Sequence, residues 1–81
     1  MTIQLLLFAH LRERFRRQKM QLEVSEGAQA GHLISFLTDD AALTMSLLRF
    51  SRFAVNGEYV SAEFPLEDGM EVALIPPTNG G

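Results

Sequence analysis

The chain has 81 residues, 47% of them hydrophobic and 21% charged, with a formal net charge of −3 and no cysteine. This length and balance fit one folded globular domain, and the net charge argues against a dedicated nucleic-acid binder. The lack of cysteine excludes disulfides, thiolate metal sites and a cysteine nucleophile, and no apolar run approaches the ~20 residues that span a bilayer, so we expect a cytoplasmic protein with no membrane partner.

Two strands joined by a basic segment are predicted at the start of the chain. The apolar run at residues 3–9 has the length of a strand, and residues 19–24 alternate in the way of a half-buried strand. Residues 10–17 between them predict a turn or a short helix. Five of the seven basic residues lie between Arg12 and Lys19. We interpret them as a solvated face, with a patch for an acidic partner as the alternative.

The middle of the chain gives a helical pattern followed by an ambiguous one. Residues 29–38 carry an apolar stripe at helical spacing, although Gly31 weakens the first turn. Asp39-Asp40 is interpreted as a helix cap or a helix end. Residues 41–50 fit either a second helical turn or a packed loop.

The last third of the chain predicts a hairpin and a final strand. Asn56-Gly57 stands between the apolar segments 53–55 and 58–60, and this pair favours a type I′ hairpin because both of its residues accept a positive φ. Residues 70–75 predict the last strand. Pro76-Pro77 ends it, because proline cannot donate a hydrogen bond to a sheet.

The predicted order is strand, strand, helix, then three strands, which indicates an α+β protein with a β-grasp domain at residues 1–75. We expect a mixed five-stranded sheet with one main helix on one face. In a β-grasp arrangement the first and last strands lie side by side in the sheet centre, which fits their being the two most apolar segments. Residues 76–81 form a C-terminal tail that ends in Gly-Gly.

Four apolar side chains are predicted on the sheet face that lacks the helix. Side chains alternate between the two faces of a strand, and this alternation places Leu6, Phe8, Tyr59 and Ile75 on the open face. Single exposed apolar residues are ordinary, but a group beside the tail is typical of a protein interface. We therefore predict a docking surface, with an unrecognised covering segment as the alternative.

The C-terminal carboxylate of Gly81 is the candidate reactive group. Glycines lack Cβ, so Gly80 and Gly81 allow the backbone to enter a narrow channel of a partner. The carboxylate is ionised at neutral pH and is therefore a poor electrophile. Adenylation by a partner that uses ATP would activate it, and sulfur could then replace AMP to give a terminal thiocarboxylate, a soft nucleophile.

Segments along most of the chain resemble the small, sulfur-carrying subunits of molybdopterin synthase. They occur in the same order as in that family, although each is a weak signal alone. The segments are Phe8-Ala9 with Leu11-Arg12-Glu13, then Ala54-Val55-Asn56-Gly57, then Pro65-Leu66-x-Asp68-Gly69-x-Glu71-Val72-Ala73, and finally Pro76-Pro77-x-x-Gly80-Gly81.

The resemblance implies a ubiquitin-like β-grasp fold and sulfur transfer to cyclic pyranopterin monophosphate. It implies three partners: an adenylyltransferase similar to ubiquitin-activating enzymes, a sulfurtransferase, and the large catalytic subunit of the synthase, usually in a heterotetramer. Gly81 would carry the adenylate and the thiocarboxylate, and the chain would bind no cofactor or metal and would not be catalytic alone. The residues implied in partner binding are Leu6, Phe8, Tyr59, Ile75, Pro76, Pro77, Thr78, Asn79 and Gly80.

Two alternatives remain open from the sequence. Carriers for thiamine synthesis or tRNA thiolation share the fold and the Gly-Gly end, and a β-grasp interaction module would have an inert tail. Departures from the family pattern at Met70, Gly31 and Asn79 concern the helix boundaries and the choice of partner. His10 and His32 lack a nearby carboxylate cluster and are interpreted as surface residues.

Overall fold

The computed structural model describes residues 1–77, which fold into five strands and three helical segments. The helical segments are two α-helices and one 3₁₀ helix, and none of the helices within these residues is long and apolar enough to cross a membrane. In chain order the elements are β1 (Thr2–Leu7), α1 (Ala9–Phe15), β2 (Lys19–Glu23), the 3₁₀ helix η1 (Ala30–Phe36), α2 (Ala41–Phe50), β3 (Arg52–Val55), β4 (Glu58–Val60) and β5 (Glu71–Ile75).

The five strands form one mixed sheet in the order β2-β1-β5-β3-β4. Strands β1 and β5 run parallel, and every other neighbouring pair is antiparallel. The first and last strands therefore lie side by side in the sheet centre, which confirms the placement predicted for a β-grasp arrangement. The predicted α+β β-grasp architecture with a five-stranded sheet is confirmed.

The core lies between one face of the sheet and the helices. Alternate residues of the central strands are almost fully buried, since Ile3, Leu5 and Leu7 of β1 and Val72 and Leu74 of β5 expose at most 1% of their surface. The helices bury their apolar side chains against this face, and their contributions to the same cluster include Leu11, Leu33, Ile34 and Leu47.

The hairpin between β3 and β4 has the predicted turn. Asn56 and Gly57 have φ angles of 54° and 82°, which is the pair of positive angles that a type I′ turn requires. The strands pair in the register Val55 with Glu58 and Ala54 with Tyr59. The turn therefore fixes which side chains of both strands reach the open face.

The helices differ from the single main helix expected at residues 29–38. That segment is a 3₁₀ helix at Ala30–Phe36, and the longest helix is α2, in the region that the sequence left ambiguous. Gly31 lies where η1 touches another segment: its N–H donates to the Ala62 carbonyl at 2.8 Å, and an added Cβ would come within 3.2 Å of the Ala62 side chain. A tertiary contact thus lies at the start of η1.

Helix α2 begins at a side-chain cap. Asp40 Oδ1 accepts hydrogen bonds from the backbone N–H groups of Ala42 at 2.8 Å and Leu43 at 3.2 Å. These are donors that the first turn of a helix leaves without internal partners. The capping role predicted for the Asp39-Asp40 pair is confirmed for Asp40.

Candidate functional site

A row of side chains crosses four strands on the open face of the sheet. Leu6 in β1 is aligned with Ala73 in β5, Ala73 with Ala54 in β3, and Ala54 with Tyr59 in β4. The two alanines in the middle are short, while Leu6 and Tyr59 stand at the ends. The row therefore has a low centre between two larger side chains.

This row forms the floor of an open groove of about 450 Å³, which we call the sheet groove. The structure brings together the four apolar residues predicted for the open face, since Leu6, Phe8, Tyr59 and Ile75 all line it. Phe8 is 44% exposed and Tyr59 is 64% exposed. Their role in docking stays a prediction, but they form one continuous apolar surface.

The chain geometry after β1 explains why Phe8 remains on this surface. Phe8 keeps an extended conformation with φ −120° and ψ 157°, so its side chain stays on the same face as that of Leu6. Ala9 then adopts a positive φ of 52°, which turns the chain into α1. The turn at Ala9 thus ends β1 while leaving an aromatic ring at the edge of the groove.

Charged groups border the sheet groove. The Arg52 guanidinium lies 5.2 Å from the centre of the Tyr59 ring, a distance typical of a cation–π contact that restrains the exposed ring. Lys19 Nζ lies 3.6 Å from a carboxylate oxygen of Glu71. Since both side chains of this pair are about half exposed, the pair adds little to stability, and it marks the polar edge of the apolar surface.

The last described residues lead from the sheet to the tail. Ile75 ends β5 and lines the sheet groove, whereas Pro76 and Pro77 line a second cavity on the helix side. Pro76 is buried and Pro77 is exposed, so the packing of the domain continues to Pro76. Thr78, Asn79, Gly80 and Gly81, including the predicted reactive terminus, lie outside the described residues.

Both histidines are exposed, as predicted, and they have different surroundings. His32 Nδ1 accepts a hydrogen bond of 2.9 Å from the Gln29 N–H, which caps η1. His10 lines the cavity beside Pro76 and Pro77. Within residues 1–77 no group of three or more His, Asp or Glu side chains is placed to hold a metal ion.

The sequence reasoning missed the two alanines that form the floor of the groove. Ala54 and Ala73 are half-buried, and a small side chain gives no hydrophobic signal of its own. Their place follows only from the strand register, which aligns them between Leu6 and Tyr59. The predicted pairing of the first and last strands, together with the Asn-Gly hairpin, could have indicated the position of both alanines.

Comparison with known proteins agrees with this fold and extends to the sequence. The chain is 35% identical over 83 residues to the molybdopterin synthase sulfur carrier subunit of Chlamydomonas reinhardtii, and the match covers 100% of both chains. It superposes on SAMP1 of Haloferax volcanii with a TM-score of 0.78 and 24% identity, over 100% of both chains. It also superposes, with a TM-score of 0.64 and 21% identity over 100% of both chains, on a chain from the complex of subunits 1 and 2 of molybdopterin-converting factor from Helicobacter pylori.

The similarity covers the whole domain and is not confined to one motif. The matches in sequence and in structure together span both ends of the chain, including β1 and the Gly-Gly end. The fold is that of the ubiquitin-like β-grasp proteins. The sequence matches the ThiS family over residues 5–81, and the chain belongs to that family.

Proposed function

We propose that this chain is the sulfur carrier of molybdopterin synthesis and that the carboxylate of Gly81 is the group that carries sulfur. The observation that carries the proposal is the 35% identity, over the full length of both chains, to a subunit named for this role. The sheet groove beside the start of the tail supports it, because a carrier must be held by other proteins while its terminus reacts.

The proposed chemistry begins with activation of the terminal carboxylate. One carboxylate oxygen of Gly81 attacks the α-phosphorus of ATP in the adenylyltransferase, which gives an acyl adenylate and pyrophosphate. A hydrosulfide equivalent, supplied by the sulfurtransferase, then attacks the acyl carbon and expels AMP. The product is a thiocarboxylate at the end of the chain, and the carrier itself contributes no other reacting group.

The second half of the cycle takes place on the large subunit. The thiocarboxylate sulfur attacks a carbon of cyclic pyranopterin monophosphate and displaces an oxygen substituent from that carbon. Water then attacks the acyl carbon and breaks its bond to the sulfur, so Gly81 is released as a carboxylate and the sulfur stays on the pterin as a thiolate. Each carrier delivers one sulfur. A dithiolene contains two sulfurs, so each molybdopterin requires two carriers in the thiocarboxylate form. The proposed heterotetramer contains two small subunits, which agrees with this requirement.

The sheet groove is the proposed contact with the large subunit. Apolar, concave surfaces with a polar border are typical of protein interfaces, and Phe8 and Tyr59 offer the exposed aromatic side chains that often dominate binding energy. The Helicobacter pylori structure is named as a complex of subunits 1 and 2 of molybdopterin-converting factor. Because this chain shares the fold of a chain in that complex, we propose a complex with a large subunit for it as well.

The test is the intact mass of the carrier after incubation with its cognate adenylyltransferase, ATP and the sulfur source. We expect a gain of about 16 Da, the difference between one sulfur and one oxygen atom, localised to the C-terminal peptide. Removing Gly81, or adding one residue after it, should abolish the gain and leave the unfolding free energy within about 0.5 kcal/mol, because terminal residues contribute little to a core.

Other outcomes would replace the proposal with a named alternative. No mass gain, with a partner that charges another carrier in the same assay, would indicate an interaction module with an inert tail. A mass gain without molybdopterin formation on the large subunit would favour a carrier for thiamine or tRNA thiolation. Linkage of the Gly81 carbonyl to lysines of other proteins, with loss of water, would indicate a protein modifier.

A further inference from the structure

A cleft of about 650 Å³ lies on the helix side of the molecule, between α1, α2 and the end of β5. We call it the helix cleft. Its floor is apolar, because Leu11 and Leu47 line it and belong to the core, with 3% and 6% of their surface exposed. The proposed function leaves this cavity without a role.

The rim of the helix cleft combines an aromatic ring with basic groups. Phe50, the last residue of α2, is 60% exposed although it is one of the largest apolar side chains. His10 and Arg14 of α1 stand at the same cavity. The cleft therefore has space for an apolar side chain of a partner. Beside that space, His10 and Arg14 can donate hydrogen bonds to a carboxylate of the same partner.

The charge at this rim is not neutralised within the domain. The chain as a whole has a net charge of −3, yet five of its seven basic residues are concentrated between Arg12 and Lys19. Within residues 1–77 the only ion pair joins Lys19 to Glu71, so the Arg14 guanidinium has no carboxylate within 4.0 Å there. Its charge is available to a carboxylate of another molecule.

The position of the cleft links it to the tail. Pro76 and Pro77 form part of its wall, whereas the preceding Ile75 lines the sheet groove on the opposite face. The start of the tail thus lies between the two cavities. A protein that encloses residues 78–81 comes close to Pro77 and therefore to the rim of the helix cleft.

The area that a stable complex requires points to the large subunit as the occupant. Such a complex buries about 800 Å² of each partner, roughly a seventh of the 5324 Å² surface of this chain. The sheet groove spans four strands and about three rows of side chains on one face, a flat area of about 400 Å² by strand spacings, and any partner that encloses the tail gains further contact area there. A lasting assembly gains from more contact surface beside the tail, whereas an activating enzyme that releases its substrate after each turnover does not need it.

We propose that the helix cleft is a second docking site for the large subunit, and this inference rests on the proposed function. The cleft would receive a segment of that subunit in which a bulky apolar side chain is flanked by carboxylates. The apolar side chain packs against Leu47 and Phe50, and the carboxylates pair with Arg14. Contacts at both the sheet groove and the helix cleft would then fix the direction in which the chain leaves the domain at Pro77.

The experiment is a calorimetric titration of the full-length carrier into its cognate large subunit at low and at physiological salt. We expect Phe50→Ser to weaken the Kd about tenfold, as for the loss of an aromatic anchor. Arg14→Glu should weaken it about three- to tenfold at low salt, and the difference should shrink as salt screens the pair.

Each variant has a matched control outside the cleft. Met45→Ser removes another exposed apolar side chain of α2, one that is 66% exposed and does not line the helix cleft. Arg17→Glu makes the same charge change three residues from Arg14. Both should bind within about twofold of the wild type, and circular dichroism checks that all four variants are folded.

The outcomes separate this inference from the proposed function. If the wild type does not bind the large subunit, the proposed function loses its partner. If the wild type binds and Phe8→Ala weakens binding, but the cleft variants match their controls, the helix cleft proposal is wrong and the proposed function stands. The helix cleft proposal is also wrong if Phe50→Ser disrupts a homodimer of the carrier and not its complex with the large subunit. It is wrong as well if the cleft variants regain binding to the large subunit once residues 78–81 are removed, because the cleft would then make no contact of its own.

Discussion

The last two residues of β5, Leu74 and Ile75, point to opposite faces of the sheet. Leu74 points into the core and exposes none of its surface, whereas Ile75 is half-buried and lines the sheet groove. Because side chains alternate along a strand, Leu74 contributes to the stability of the core while the adjacent Ile75 is placed on the face proposed for binding. The same alternation made the burial of this strand predictable from the sequence.

Two alanine substitutions test this division. Leu74→Ala should lower the free energy of unfolding by about 2–5 kcal/mol, because it leaves a cavity in the core. Ile75→Ala should cost less than about 1.5 kcal/mol, since its side chain is only partly removed from water. Urea denaturation followed by circular dichroism measures both values, and equal losses would contradict the assignment of Ile75 to the open face.

Helix α2 shows why an element can be harder to predict than its residues. Residues 41–50 contain apolar side chains on several sides, because Leu47 enters the core while Met45 and Phe50 remain exposed. The pattern therefore lacked a single stripe. The start was easier to predict, since an aspartate before an apolar segment is a common helix cap.

The side-chain cap of α2 contributes to the stability of the domain. Asp40→Ala removes the acceptor for the N–H groups of Ala42 and Leu43 and should destabilise the protein by about 0.5–2 kcal/mol. Asp39→Ala is the control, because this exposed neighbour carries the same charge but does not cap the helix. Thermal or urea unfolding of both variants measures the difference, and similar values would mean that charge and not capping is responsible.

The 3₁₀ helix illustrates a second limit of local reasoning. Gly31 looked like a weak point in an α-helix, yet the structure uses it for a close contact with Ala62, about thirty residues later. Nothing in the sequence around residue 31 indicates that contact. Local helix propensity does not report such a contact between distant segments.

At the scale of the whole molecule, the topology followed from the order of the predicted elements, which indicated a β-grasp arrangement. That arrangement pairs the first and last strands in the sheet centre, a position that fits their hydrophobicity, and in the structure β5 lies between β1 and β3. The sheet groove followed in part from strand alternation. The helix cleft was not predicted, because its wall joins residues near 10, 50 and 76, and no spacing rule connects them.

The parallel pairing of β1 with β5 determines how the molecule responds to mechanical force. If the chain is pulled by its two ends, these strands slide past each other and their hydrogen bonds are loaded together. If it is pulled between Met1 and Val24, which are hydrogen-bonded at the same end of β1 and β2, the bonds of that pair break one after another. We expect a clearly higher unfolding force in the first geometry, and equal forces would contradict it.

Single-molecule pulling is straightforward here, because a chain without cysteine accepts engineered cysteines as unique handles. The result bears on the working life of a carrier. If the proposed large subunit draws the tail into a channel, the tension runs along β5 and loads its hydrogen bonds to β1 together. We expect the domain to stay folded under such tension.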